Sequence, residues 1–582
     1  MKLFRKIQKW FENQENLYYL FLIILIVPNI VLCFTEPMPL VAKVCNVLLP
    51  FSIYHMIMSW SGNCGKTFWI LFPFLFFGAF QIVLLYLFGQ SVIAVDMFLN
   101  LVTTNPGEAL ELLDNLIPAI IIVVLLYIPA LVLAAVAVSK KRKLSETFVR
   151  RERKRARITV IAGILSLVAA YLFDARYELK SDLYPANVCY NIALAFQRTA
   201  QTQHYAETSK DFTFQAKTTR PEKNREVYVM VIGETSRAAN WSIYGYNRNT
   251  NPELTKIKGL TAFSHVLTES NTTHKSVPML MSSVTAHDFN SIYRQKGIIT
   301  AFKEAGYRTA FFSNQRYNHS FIDFFGKEAD ICDFIKEDTG DGGYNPSDDE
   351  LLKLVAAELA ENASKQFIVL HTYGSHFNYR ERYPSDSAFF LPDFPVDAEV
   401  KFKDNLINAY DNSIRYTDNF LARLIYLLQE QDIDAAMLYT SDHGEDIFDD
   451  NRHLFLHASP VPSYYQIHVP FLIWMSDSYR KSYPELQQAI QLNVQKNISS
   501  SISFFQTMLE LGGIETPYRN DSLSVTNILF TERPRVYLND HNEARSLNDI
   551  GMREEDFEML QMKGVDIAVS YTHLRAHETS QD

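Results

Sequence analysis

Five apolar stretches lie in the first 175 residues, near 16–35, 39–60, 67–88, 117–138 and 157–174. Each is long enough, or nearly so, to cross a bilayer as a helix, which takes about 20 residues. This pattern constrains the fold more than any other feature. Backbone polar groups in lipid must be satisfied within helices or closed barrels, so the opening part of the chain is expected to form a helical membrane domain. A cleavable signal peptide would account for the first stretch alone; no small-residue cleavage site follows it, and four more stretches do. Basic residues set the orientation. Lys2, Arg5, Lys6 and Lys9 precede the first stretch, and "KKRKLSETFVRRERKRAR" separates the fourth from the fifth, whereas 89–116 holds no Lys or Arg. An inside N-terminus and an odd number of spans then place everything after about residue 175 outside. Clamped between apolar spans, the basic run reads as a topology signal and not as a nucleic-acid patch. In the 89–116 loop, a turn at Asn105-Pro106-Gly107 leads into an amphipathic helical pattern, which suits a plain connector and the lining of a lipid site equally well.

The remainder differs in character. Net charge is −10, with a basic, apolar opening and a mixed, acidic continuation. The five cysteines, Cys33, Cys45, Cys64, Cys189 and Cys332, are too sparse for a disulfide framework. Residues 176–225 read as a polar, partly helical linker. From 226 strands and helices alternate: "EVYVMVIGE", "ITAFKEAGYRTAFFSNQ", "KQFIVLHTYGSH", "YDNSIRYTDNFLARLIYLLQEQ" and "DAAMLYTSDHGE". That alternation predicts an α/β domain with many parallel strands covered on both faces.

In such a sheet ligands sit beyond the carboxyl ends of the strands. Successive strand ends here deliver Glu234, then His371 and His376, then Asp442 and His443, with His457 following in "LFLHASP". Singly, each reads as a satisfied polar residue or a turn. Together they form the carboxylate–imidazole set that suits zinc, or manganese with more oxygen ligands. Hydroxyls for a nucleophile come from "ESNTTHKSVPMLMSS": Ser270, Thr272, Thr273 and Ser276, where Pro278 and the apolar run suggest a helix starting near Thr273. A helix N-terminus favours a phosphoryl group, and a bound metal activates a hydroxyl. The same pattern also suits a plain N-cap threonine. Thr235 is a further hydroxyl, but in an extended segment it would face away from Glu234.

"GETSRAANWSIYGYNRNTNPEL", "NTTHKSVPMLMS", "HTYGSHFNYRERYP", "YDNSIRYTDNFL" and "SDHGED" together resemble the phosphoethanolamine transferases that modify lipopolysaccharide. This family, within the alkaline phosphatase and sulfatase superfamily, includes the mobile colistin-resistance enzymes. The resemblance spans nearly the whole chain. It implies a five-helix transmembrane domain joined to an α/β alkaline-phosphatase/sulfatase-like domain, in the inner membrane with the catalytic part in the periplasm. It implies a zinc site made by Glu234, Thr273, Asp442 and His443, with Thr273 as nucleophile. His376 and His457 match histidines that bind the substrate phosphate or a second zinc. The implied donor is phosphatidylethanolamine and the acceptor a lipid A phosphate or core sugar. A lipoteichoic-acid-type glycerophosphate transferase and an inactive membrane-anchored binding protein are the alternatives; no Cys/Ser-x-Pro-x-Arg context supports a sulfatase.

Three departures stand out. Glu269 and Met279 occupy positions where family members carry a cysteine pair, so the nucleophile loop must be held by packing. Phe377-Asn378 replaces Gly-Pro after His376, and His457 lies slightly farther than usual from His443. The domain organisation read from sequence is 1–175 transmembrane, 176–225 linker, 226–568 catalytic and 569–582 a non-native tail, whose His573 and His577 are not counted as ligands. The topology is directly testable: reporter fusions at residues 148 and 220 are expected to show opposite sidedness, and a cytoplasmic signal from both would overturn the orientation.

Overall fold

The computed structural model describes residues 2–36, 38–88, 92–98, 116–174, 177–222, 225–336 and 345–567. The turn and helix read into 103–113 and the tail from 569 fall outside them. The chain forms two compact units, Met1–Arg198 and Thr199–Asp582.

In the first unit four helices are long and apolar enough to cross a membrane: Gln14–Thr35, Leu40–Met58, Ile117–Ser139 and Glu146–Phe173. A bent pair, Cys64–Ile70 and Phe72–Tyr86, makes a fifth if counted as one span, with a bend of 61°. The sequence predicts an unbroken helix over 67–88; Pro73 explains the break, because it has no N–H to continue the ladder and its ring crowds the preceding turn. The first half of that pair starts early because the Asn63 side chain accepts from the Lys66 N–H at 2.9 Å. The basic stretch also departs from expectation. Only its opening, 140–145, is a loop: the helix begins at Glu146, capped by Ser145 accepting from the Phe148 N–H at 3.2 Å, and runs through the arginines into the apolar segment. Glu152 holds this end in place. It is 1% exposed and meets Arg155 at 2.9 Å, Arg151 at 3.0 Å and, on helix Leu40–Met58, His55 at 3.4 Å. Farther along, the two helices touch at Gly163, where a Cβ would lie 2.7 Å from Ser52 Oγ and 3.2 Å from Leu49 Cα. Small residues permit such close helix approach in lipid.

The second unit is built on a seven-stranded sheet. Its strands in chain order are β1 (Glu226–Gly233), β2 (Leu260–Phe263), β3 (Arg308–Ser313), β4 (Ile331–Phe334), β5 (Lys365–His371), β6 (Asp434–Ser441) and β7 (Phe471–Met475). The spatial order is β2-β7-β6-β1-β5-β3-β4. Pairing is parallel from β6 to β4, while β7 runs antiparallel to both β6 and β2. β1 is central and apolar on both faces: Tyr228, Met230 and Ile232 join the core beneath helices Thr273–Leu280 and Ser500–Leu511, and Val227, Val229 and Val231 join that beneath Asp349–Ala360 and Lys403–Gln429. Register then fixes the site. Ile232 pairs with His371 on one side, and Gly233 with Ser441 on the other. The three strands end level, so the residues after them emerge together.

Overpacking a tight contact destabilises by about 1–3 kcal/mol. Gly163→Ile is therefore expected to lower the thermal midpoint of the detergent-solubilised protein. Gly62→Ile, whose nearest neighbour to a new Cβ is Leu144 O at 4.0 Å, should change it little.

Candidate active site

Beyond Gly233 the chain turns sharply. Thr235 is left-handed, with φ +58°. That turn aims its N–H at Asp442 Oδ1, 3.0 Å away, and its hydroxyl back at Glu234 Oε1, 2.8 Å away. The extended geometry expected from sequence, in which Thr235 faces away from Glu234, is thus replaced by a hairpin-like reversal. Gly374, at φ +52°, packs against the Glu234 backbone; a Cβ there would sit 2.6 Å from Glu234 O. The next residue, Ser375, donates its N–H to that same oxygen at 3.0 Å.

Asp442 and His443 follow β6. Asp442 Oδ1 accepts from the N–H groups of Thr235 (3.0 Å) and His443 (2.7 Å). Oδ2 is buried and has no hydrogen-bond partner among the described residues. His443 places Nδ1 3.0 Å from Gly444 O. A carbonyl only accepts, so Nδ1 carries the proton and Nε2 presents a lone pair. That Nε2 lies 3.2 Å from Asp442 Oδ2 and 3.5 Å from Glu234 Oε1.

Thr273 is the first residue of helix Thr273–Leu280, and its Oγ1 lies 3.1 Å from Glu234 Oε1 and 3.1 Å from His443 Nε2. The other hydroxyls of this loop point elsewhere. Ser270 and Thr272 bond each other at 3.1 Å, and Ser276 donates to Asp442 O at 2.7 Å. Thr272 stands at the N-cap position without capping through its side chain. The structure therefore brings Glu234, Thr273, Asp442 and His443 together. His457 lies beside His443, with ring centroids 4.2 Å apart and the rings tilted by 37°, and the His376 ring centroid lies 6.1 Å from that of His457. His371 is buried behind, its Nε2 4.0 Å from Glu234 Oε2.

Electrostatics show what the cluster lacks. Burial, then the neighbouring Asp442, pushes Glu234 well above the carboxylate range. Burial likewise raises Asp442 to about 6 and drives His443 well below its usual value. Desolvation disfavours charge in each case, and no cationic side chain among the described residues pairs with either carboxylate. The ligand atoms of Glu234, Asp442 and His443 lie within 4.8 Å of one another. A buried carboxylate oxygen without a partner, a lone pair fixed by tautomer and a second carboxylate fit a divalent metal.

Sequence reasoning missed the supporting residues. Glu445 Oε2 lies 3.1 Å from His457 Nδ1, orienting the ring. Gln315 donates to Glu234 Oε2 at 3.4 Å and to Thr372 O at 3.1 Å. Asn271 ties the nucleophile loop down: its Nδ2 donates to Ser459 O (2.8 Å) and Gln466 Oε1 (2.5 Å), and its Oδ1 accepts from Tyr537 OH (2.6 Å). Gln466 in turn donates to Asp446 at 2.6 Å. Glu445 and Asp446, inside "SDHGED", and Asn271, which opens "NTTHKSVPMLMS", carried a signal through their neighbours; Gln466 carried none. Glu269 and Met279 are both buried, and Met279 joins the core, as packing of this loop requires.

Residues 63–200 match the family model described as phosphoethanolamine transferase EptA/EptB, and residues 226–514 match that of the sulfatases. The chain belongs to the phosphoethanolamine transferase family. Phosphoethanolamine transferase EptA of Escherichia coli (strain K12) is 28% identical over 497 residues, covering 81% of this chain and 87% of that protein. Kdo(2)-lipid A phosphoethanolamine 7''-transferase of the same strain is 30% identical over 318 residues, 53% of this chain and 55% of that one. Among solved structures, the integral membrane lipooligosaccharide phosphoethanolamine transferase A from Neisseria meningitidis has the same fold over 88% of this chain and 97% of its own, with TM-score 0.68 and 20% identity. The periplasmic domain of Escherichia coli EptC, solved in complex with zinc, covers 57% of this chain and 95% of its own at TM-score 0.52 and 24% identity.

A metal at this cluster would compete with protons for the same atoms. With Asp442 raised to about 6, zinc added to metal-free protein is expected to bind more weakly as pH falls through about 6, because the ligand oxygen takes up a proton. Calorimetry in buffers of different ionisation enthalpy should show proton release that grows toward that pH. Asp442→Asn should lower zinc content sharply; unchanged zinc in that variant would remove Asp442 from the site.

Proposed function

We propose that this chain transfers phosphoethanolamine from phosphatidylethanolamine to a lipopolysaccharide acceptor, a lipid A phosphate or a core sugar, through a phosphoethanolamine–threonine intermediate on Thr273. The observation that carries the reading is the Thr273 hydroxyl, 3.1 Å from both Glu234 Oε1 and His443 Nε2 at the start of a helix. The named relatives support the donor group and the class of acceptor.

Thr273 Oγ1 gives up its hydroxyl proton and attacks phosphorus; an oxygen–phosphorus bond forms as the bond to the diacylglycerol oxygen breaks, and that oxygen takes up a proton in exchange. The acceptor oxygen then attacks the same phosphorus and restores Thr273. Zinc held by Glu234, Thr273, Asp442 and His443 would supply positive charge at the nucleophile and at the phosphoryl oxygens. The leaving diacylglycerol oxygen needs a proton, and an acceptor hydroxyl must lose one. His457, oriented by Glu445, suits both transfers. His376 is held far below its ordinary pKa, at about 3, by burial and then by His457, and its Nδ1 faces the Phe377 carbonyl, so the neutral ring presents an Nε2 lone pair that suits a second metal ion and not donation to the phosphoryl oxygens. The four or five apolar helices and the distribution of basic residues support an inner-membrane protein with this domain in the periplasm, on the side where its lipid-linked acceptor is expected.

Thr273→Ala is expected to abolish transfer, since no oxygen remains to carry the group, while Thr272→Ala, whose hydroxyl bonds only Ser270 among the described partners, should retain most activity. Peptide mapping of protein trapped with donor alone should find the added mass on Thr273. Modification of Thr235 or Thr272, or full activity in Thr273→Ala, would sink the assignment. Mass spectrometry of lipopolysaccharide from cells with and without the protein identifies the acceptor.

A further inference from the structure

The loop between the "HFNYRERYP" segment and helix Lys403–Gln429 presents large apolar side chains to the outside: Phe389 is 58% exposed, Leu391 67% and Phe394 70%. Single exposed apolar residues need no explanation; three within six positions of one loop do. The loop is held, not loose. Buried Asn412 accepts from the N–H groups of Phe389 (2.9 Å) and Phe390 (2.8 Å) and donates back to Phe390 O at 3.0 Å. One turn earlier on the same helix, Asn408 donates to Pro392 O at 2.8 Å, and Asn405 donates to Pro395 O at 3.1 Å. Three asparagines on successive turns thus clamp the backbone while its apolar side chains stay in the open. Arg415 lies over the Phe389 ring at 4.1 Å and Arg248 over Phe390 at 3.9 Å, which stiffens the base of the loop.

The clamp also leads to the reaction centre. Ser413, next to Asn412, donates to Ser375 Oγ at 2.8 Å, and Ser375 donates its N–H to Glu234 O at 3.0 Å. Two of the loop's acidic groups are paired, Asp393 with Arg380 at 3.0 Å and Glu399 with Lys401 at 2.7 Å, while Asp386 and Asp397 have no cationic partner among the described residues, so the loop carries nothing that would draw it to an anionic partner. That leaves apolar contact, not net charge, as the driving force for whatever the loop meets.

We infer that the Phe389–Phe394 loop inserts its apolar side chains into a zwitterionic lipid surface, docking the rim of the reaction centre where a lipid headgroup is presented. Aromatic and aliphatic side chains on a rigid turn are what the headgroup–acyl boundary takes up. The occupant is a bilayer because this chain carries its own membrane helices, so a lipid surface is permanently at high effective concentration. The role of the docked rim rests on the proposed transferase reading; the insertion of the loop into the lipid surface does not.

The test uses the full chain in nanodiscs of phosphatidylethanolamine and phosphatidylcholine. A bimane label is placed at Leu391→Cys in a background whose native cysteines are serine, with Glu430→Cys, exposed on the same domain, as reference. Nitroxide attached to lipid is expected to quench the residue 391 label several-fold more than the reference, and water-soluble iodide several-fold less, with the same pattern at Phe394→Cys. Iodide quenching equal to that at residue 430 would overturn the proposal. So would shielding from both quenchers, which would point to a second copy of the chain. Neither readout depends on catalytic activity, so failure here leaves the transfer chemistry to its own test.

Discussion

Two carboxylates buried side by side dictate the form of the soluble unit. Glu234 and Asp442 are 1% and 0% exposed, and each makes the other harder to ionise. Taking such charges out of water costs several kcal/mol per ion even after relaxation, unless dipoles or a counter-charge replace the solvent. The surrounding architecture supplies those dipoles. Backbone N–H groups of Thr235 and His443 converge on one oxygen of Asp442, and the hydroxyls of Thr235 and Thr273 converge on one oxygen of Glu234. Those groups meet only because β1, β5 and β6 end level and because Gly374 lets one turn lie against another. Asp442 Oδ2 is left without a donor 3.2 Å from the His443 Nε2 lone pair, which is the reason a cation fits there.

Much of this was legible from sequence, for a definable reason. Strand-to-polar transitions at Glu234, His371 and Asp442 mark the one edge of a parallel sheet where side chains are free of core packing. Runs of Val, Ile and Tyr fix which residues are strand. What stayed hidden depends on contacts between distant segments. Gln315 follows β3 and looks like any loop residue, yet reaches Glu234 across 81 positions. Asn271 looks like turn chemistry, yet binds Ser459 and Gln466. The left-handed Thr235 carries no signal either, because a non-glycine residue adopts that geometry only when tertiary partners hold it.

The membrane unit shows the complementary case. Hydropathy located the apolar stretches, since lipid imposes a composition that a single sequence displays. It did not locate helix ends. Charge marks where lipid stops, not where hydrogen bonding stops, so the arginine-rich segment continues as helix once Ser145 caps it and Glu152 gathers its charges. A proline one residue past Phe72 breaks a span that hydropathy treats as continuous.

The nucleophile loop is secured by Asn271, by the buried Met279 and by main-chain pairing of Leu538 N–H with Glu269 O at 2.7 Å, and all five cysteines of the chain are free thiols. Here the reactive hydroxyl is brought into place by ordinary folding alone. The geometry that seats Thr273 therefore owes nothing to a disulfide, and a thiol reductant is expected to leave it unchanged.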